Sequence, residues 1–179
     1  MQTDTLVVNF FAGAGASKSS LVANVFAELK WLDSDKELNV EIAPEFAKDL
    51  VWEERFDTLA NQIYVFGKQY QRIRRLIGKV DVILTDSPLL FSVLYKPDYL
   101  SETFVKLVLE AHNEFNNLNF LVERCKKYNP TGRMQTEEQA KQFDQRMKFI
   151  LDEGMVDYIP IPGKKESVKT IVDNILERV

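Results

Sequence analysis

Residues 5–27 read Thr5-Leu-Val-Val-Asn-Phe-Phe-Ala-Gly-Ala-Gly-Ala-Ser-Lys-Ser-Ser-Leu-Val-Ala-Asn-Val-Phe-Ala27. The run Thr5–Phe11 is short, almost continuously apolar, and rich in β-branched and aromatic residues. That composition suits a strand covered on both faces, as in a parallel sheet. Small residues follow, and then Leu21, Val22, Val25, Phe26 and Leu29 recur at helical spacing, which predicts a helix over Lys18–Trp31. A buried strand, a loop of small residues and an amphipathic helix in this order suggest a phosphate-binding unit.

The matching pattern is G-x-x-x-x-G-K-[ST] between strand and helix. Aligned on Lys18 and Ser19, the chain reads Ala12-Gly13-Ala14-Gly15-Ala16-Ser17-Lys18-Ser19, with Ala12 and Ser17 in the two glycine positions. The physical requirements survive that change. Small side chains let backbone N–H groups from Gly13 through Ser20 surround a phosphate, and Gly13 and Gly15 supply backbone freedom. Lys18 has the reach to meet the β- and γ-phosphates, and Ser19 offers a hydroxyl to Mg²⁺. The helix start adds its N–H groups and the positive end of its dipole. A dinucleotide-binding loop would have no role for the Lys-Ser pair.

Outward from this unit, strands are expected over Leu38–Ala43, Val80–Thr85, Leu118–Val122 and Tyr158–Ile161. Helices are expected over Glu53–Ile77, Glu102–Phe115, Thr136–Asp152 and Ser167–Arg178, with Gly78 stopping the first and Thr136 capping the third. Strand and helix alternate throughout. This predicts an α/β three-layer fold: a roughly five-stranded, mainly parallel sheet with helices on both faces. No repeat, low-complexity tract or linker divides the 179 residues, so a single domain over 1–179 is expected.

Bulk properties narrow the function. A net charge of −4 speaks against a broad basic face for nucleic acid. One cysteine, Cys125, allows no internal disulfide, and with a single histidine a zinc cluster is not expected. No run approaches the roughly 18 apolar residues of a membrane span, and the N-terminus lacks a secretory pattern. A cytoplasmic protein is the simplest expectation.

Ligands of open α/β sheets lie beyond the carboxyl ends of the strands. Asp86 closes the apolar run from Val80, a position suited to holding Mg²⁺ through water. Glu45 follows the second strand and Pro44. A kinase needs a carboxylate to orient a hydroxyl and accept its proton. Glu45 is expected in that role, with Asp86 on the metal or exchanging roles with it. The plainer alternatives are a charge at a helix start over Phe46–Leu50 and a turn residue. Arg124, Lys126, Lys127 and Arg133 surround Pro130-Thr131-Gly132, so residues 123–135 are expected to form a basic lid. Arg124 and Arg133 are the candidates for stabilising transferred charge; a solvated charge run is the alternative. On the middle helix, Arg55, Gln62 and Gln69 are candidate substrate contacts, joined by Asp57, Tyr64 and Arg72, with an exposed polar helix face as the alternative, while Phe56, Phe66 and Tyr70 are expected in the core.

The strings VVNFFAGAGASKSSLVANVFAELK, EIAPEFAKDL, NQIYVFGKQYQRI, VDVILTDSPLL and YNPTGR together resemble the small AAA-type ATPase/kinase-like proteins of tailed bacteriophages. These are similar in turn to nicotinamide riboside kinases and deoxynucleoside kinases. The resemblance spans roughly Thr5 to Leu151. It implies an ATP- and Mg²⁺-dependent phosphotransferase, with Glu45 as base, Gln62 near a base and Arg124 and Arg133 near the phosphates; a phage protein would act in the host cytoplasm. Asp86-Ser87-Pro88 departs from the Asp-Arg of deoxynucleoside kinases, which leaves the acceptor open. A nucleoside, a nucleotide and a related small molecule all fit. DNA or RNA contacted by Arg72, Arg74 and Arg75, a non-catalytic nucleotide-dependent role, and a homodimer remain alternatives to test.

Overall fold

The computed structural model describes residues 5–32, 38–129, 136–154 and 156–179. Among these residues, five strands form one sheet: β1 Leu6–Phe11, β2 Val40–Ile42, β3 Val82–Thr85, β4 Asn116–Glu123 and β5 Ile159–Pro162. Their order is β2-β3-β1-β4-β5, and every pairing is parallel. β1 is buried along its whole length, as its unbroken apolar run requires.

Alternate residues of β1 serve two separate cores, because side chains of a strand point to opposite faces in turn. Leu6, Val8 and Phe10 pack with Leu21 and Val25 of α1 (Lys18–Lys30). Ile171 and Ile175 of the C-terminal helix over Ser167–Leu176 complete that layer. Val7 and Phe11 face the other side, where Phe66, Ile73, Val108, Phe143 and Met147 form the second core. Helices on both faces give the expected three layers.

The expected helix over Glu53–Ile77 is in fact three: α2 Phe46–Trp52, α3 Phe56–Ala60 and α4 Gln62–Arg74. Two local features break it. Glu54 adopts φ 56, a left-handed conformation that ends α2. The Asn61 side chain then accepts a hydrogen bond from the Tyr64 amide at 3.2 Å and caps α4 anew. Phe56, expected in the core, consequently lies on the short α3 and is 47% exposed, whereas Phe66 is buried. A short helix α5, Phe91–Leu94, follows β3 where none was expected.

The remaining helices are α6 Glu102–Asn113, α7 Glu137–Glu153 and α8 Ser167–Leu176. α7 begins with Thr136 and Gln139 in a reciprocal capping box, with Glu137 and Glu138 in the first turn. Ala140, Phe143, Met147 and Leu151 form its buried stripe. No helix among the described residues is long and apolar enough to cross a membrane.

Candidate active site

The loop between β1 and α1 is shaped by close neighbours. A Cβ on Gly13 would stand 2.6 Å from the Ala140 carbonyl oxygen, and one on Gly15 would stand 3.2 Å from the Tyr128 ring, where φ is also +80. Only glycine satisfies both positions without displacing α7 or the segment after β4. Ser17, in the second formal glycine position, adopts φ 72 and ψ 12. The backbone thus keeps the left-handed geometry glycine would supply, and the serine bears its steric cost.

Lys18 lies over this loop. Its Nζ donates to the carbonyl oxygens of Ala12 at 2.6 Å and Gly13 at 3.1 Å, and sits 5.5 Å from the centre of the Phe91 ring. Burial lowers its pKa, while Glu45, Asp86 and Asp144 oppose that shift with negative charge. Ser19, on the first turn of α1, donates its hydroxyl to a carboxylate oxygen of Asp86 at the end of β3. The neighbouring turn is tied down as well: Thr85 Oγ1 donates to the Ala43 carbonyl oxygen at 2.9 Å and accepts from the Ser87 amide at 3.2 Å.

Glu45 precedes α2 without capping it through its side chain. Burial pushes its carboxyl pKa up; Lys18 counteracts this and Asp86 reinforces it. Glu45, Lys18 and Asp86 therefore share one electrostatic environment, brought there by the ends of β2, β1 and β3.

The candidate substrate contacts divide. Gln69 is buried, its Oε1 accepting from the Phe46 amide at 2.9 Å. Its Nε2 is the buried side-chain polar atom left without a partner among the described residues. Gln62 is buried too, but its Nε2 donates to the Leu59 carbonyl oxygen at 2.9 Å, a local role at the start of α4. Arg55 pairs at 3.1 Å with exposed Glu53 in the turn before α3. Arg72, by contrast, joins the Glu45 neighbourhood. It pairs with Asp49, donates to the Pro44 carbonyl oxygen at 3.1 Å, and stands 5.1 Å over the Phe46 ring.

Of the basic segment, Arg124 reaches the loop: Nη1 donates to the Ala14 carbonyl oxygen at 2.7 Å. Lys126 and Lys127 are exposed. Arg133, with the Pro130-Thr131-Gly132 turn, lies outside the described residues. One further contributor was not expected from the sequence. Asp144 of α7 accepts from Arg124 Nη2 at 2.9 Å and also from the Gly13 amide. A signal for it exists: a carboxylate four residues after Ala140 and next to Phe143 sits on the buried side of an amphipathic helix.

A strand-end site with a phosphate loop, a half-buried lysine and two carboxylates defines a P-loop, kinase-like nucleotide-binding fold. A family model described as an AAA domain matches residues 7–170, and the chain belongs to that family. Among solved structures, it is similar to the NadR protein in complex with NAD and AMP-PNP, at 18% identity and TM-score 0.70. That match covers 97% of this chain and 49% of the NadR chain, so the chain spans about half the length of that relative. It is also similar to a thymidylate kinase from Ehrlichia chaffeensis, at 11% identity and TM-score 0.61, covering 97% of this chain and 98% of that one. No curated protein matches the sequence.

Proposed function

We propose that the chain is an ATP- and Mg²⁺-dependent phosphotransferase. Its acceptor is a hydroxyl or phosphate of a nucleoside, nucleotide or related small molecule, handled within a single kinase-like domain. The observation that carries this reading is the convergence of Lys18, Glu45 and Asp86 from three strand ends, with burial holding the Glu45 carboxyl above its usual pKa. A carboxyl so poised is a better proton acceptor at neutral pH.

In this reading Lys18 and the loop amides after Gly13 hold the triphosphate; the Gly13 N–H, expected at the phosphate, is instead held by Asp144. An acceptor oxygen bonds to the γ-phosphorus as the bond to the β,γ-bridging oxygen breaks. The hydroxyl proton passes to Glu45, or to Asp86 should the two exchange roles. The Ser19 hydroxyl and Asp86 carboxylate form a hard-oxygen pair that fits Mg²⁺, which commonly keeps waters and phosphate oxygens as its other ligands. When bound, Mg²⁺ would offset charge on the β- and γ-phosphates. The unpaired Gln69 Nε2, linked to the Glu45 neighbourhood through Phe46, favours an acceptor bearing a carbonyl oxygen or ring nitrogen.

A nucleic-acid acceptor has less support, because Arg72 and Arg74 face Asp49 and Glu114 within their own chain. The test is transfer of labelled γ-phosphate from ATP to a panel of nucleosides and nucleoside monophosphates. Magnesium-dependent labelling lost in Lys18→Ala is expected. No transfer to any acceptor, with Lys18→Ala indistinguishable from wild type, would overturn the reading.

A further inference from the structure

Asp144 is engaged on both carboxylate oxygens. Oδ1 accepts from the Gly13 amide, and Oδ2 accepts from Arg124 Nε at 3.2 Å and Nη2 at 2.9 Å. Arg124 is mostly buried, its side chain 11% exposed, and its Nη1 donates to Ala14. One carboxylate on α7 therefore sets a backbone amide of the phosphate loop and the guanidinium beside it. The same helix approaches Gly13 so closely that no Cβ fits. On the other side of Arg124, the Tyr128 ring lies 5.9 Å from the guanidinium carbon and covers Gly15.

We propose that Asp144 is a positioning residue for triphosphate binding, acting through Arg124; this rests on the nucleotide-binding reading above. The hydrogen-bond inventory gives the reason. Among the described residues, three contacts occupy Arg124 donors, two on Asp144 and one on Ala14, out of the five a guanidinium carries. Its other two N–H donors have no partner among the described residues and can meet a phosphate oxygen at the rim of the loop. Asp144 fixes the plane in which those donors lie and lowers the entropy lost when they engage a ligand.

The role also requires a carboxylate. Gly13 and Arg124 both donate, so Asp144 must accept on each oxygen, and an amide has a single acceptor oxygen. Asp144→Asn turns an NH₂ group toward one donor or the other whichever way it is flipped. Arg124 then loses its anchor, or the loop amide does.

The experiment measures binding of a fluorescent ATP analogue with Mg²⁺ to the full chain, for wild type, Asp144→Asn, Arg124→Ala and the double variant. Thermal unfolding of each reports that it is folded. Asp144→Asn is expected to weaken binding about tenfold, as charge-assisted hydrogen bonds of this kind allow. In the Arg124→Ala background the same change should cost less than about twofold, because pairs that act as one unit are non-additive. Equal losses in both backgrounds would mean that Asp144 does not act through Arg124 and would overturn the inference. So would full-strength binding by Asp144→Asn. Wild-type protein that binds no ATP would instead remove the nucleotide reading itself, and the inference with it. Should Asp144→Asn not fold, Arg124→Lys supplies the second probe. A single ammonium cannot reach Asp144 and Ala14 as the guanidinium does, so it too should weaken binding; unchanged affinity there counts against the proposal.

Discussion

Ser19 and Asp86 are 67 positions apart in the chain, and the serine hydroxyl donates directly to the aspartate carboxylate. The pairing of β1 with β3 produces this contact, because the helix that follows one strand starts beside the end of the other. A metal ion held there would be met by oxygen from both. Asp86→Asn keeps the size of the side chain but removes its charge. Magnesium-dependent transfer should fall on the order of 100-fold, while ATP binding measured without metal changes little. A titration of activity against Mg²⁺ checks this, and an unaltered metal dependence would count against the assignment.

Glu45 makes a stability prediction with a definite sign. Burial raises its pKa in the folded chain, so near and above pH 4.5 the folded state holds a proton the unfolded state has released. Stability from this group is present below the unfolded pKa and is lost as pH rises through the folded value. Glu45→Gln removes that loss. The variant should be more stable than wild type to urea at pH 8, with the difference narrowing toward pH 4.5, even as transfer activity disappears.

Ser17 carries a left-handed backbone at φ 72. Left-handed geometry costs a side-chain-bearing residue roughly 1–2 kcal/mol, against roughly 0.5–1 kcal/mol of extra chain entropy lost by glycine. Ser17→Gly should therefore stabilise the protein by about 0.5–1 kcal/mol in urea unfolding and preserve ATP binding. Ser17→Val should destabilise it and weaken binding, since a β-branched side chain fits that conformation worst.

His112, the one histidine of the chain, is buried against the Phe11 ring, and burial lowers its pKa to about 4. The unfolded chain binds the proton more readily, so the contribution of the neutral ring is whole above about pH 6.5 and declines as pH falls toward 4. The loss across that window is on the order of 3 kcal/mol. His112→Gln should flatten the corresponding part of the stability profile. An NMR titration of the single imidazole gives its pKa directly, and a value near 6.5 would refute the prediction.

Much of the architecture is legible in the order of residues. The apolar run of β1 announces a fully covered central strand, and strand–helix alternation announces the parallel sheet and its layers. Periodicity fails over residues 53–61, because the left-handed Glu54 and the Asn61 cap interrupt a pattern whose apolar spacing runs on through both. Spacing records which face is apolar, and it is blind to a local backbone reversal. An uninterrupted helix would align Arg55 with Gln62 and Gln69; Arg55 instead lies in the turn between α2 and α3, paired with Glu53.

The phosphate loop, Lys18, Ser19 and the two strand-end carboxylates are readable from sequence alone, because their chemistry depends on residues adjacent in the chain or on positions just past a strand. Tertiary structure alone decides three further points. Among the described residues it leaves the Gln69 amide nitrogen without a partner, the Gln69 oxygen being held by a backbone amide 23 residues away, and pairs that of Gln62 with the Leu59 carbonyl oxygen. It places Arg72 beside Phe46 and Asp49. It also joins Asp144 to Gly13 across 131 positions, a contact between groups whose proximity is created only when α7 closes over the loop.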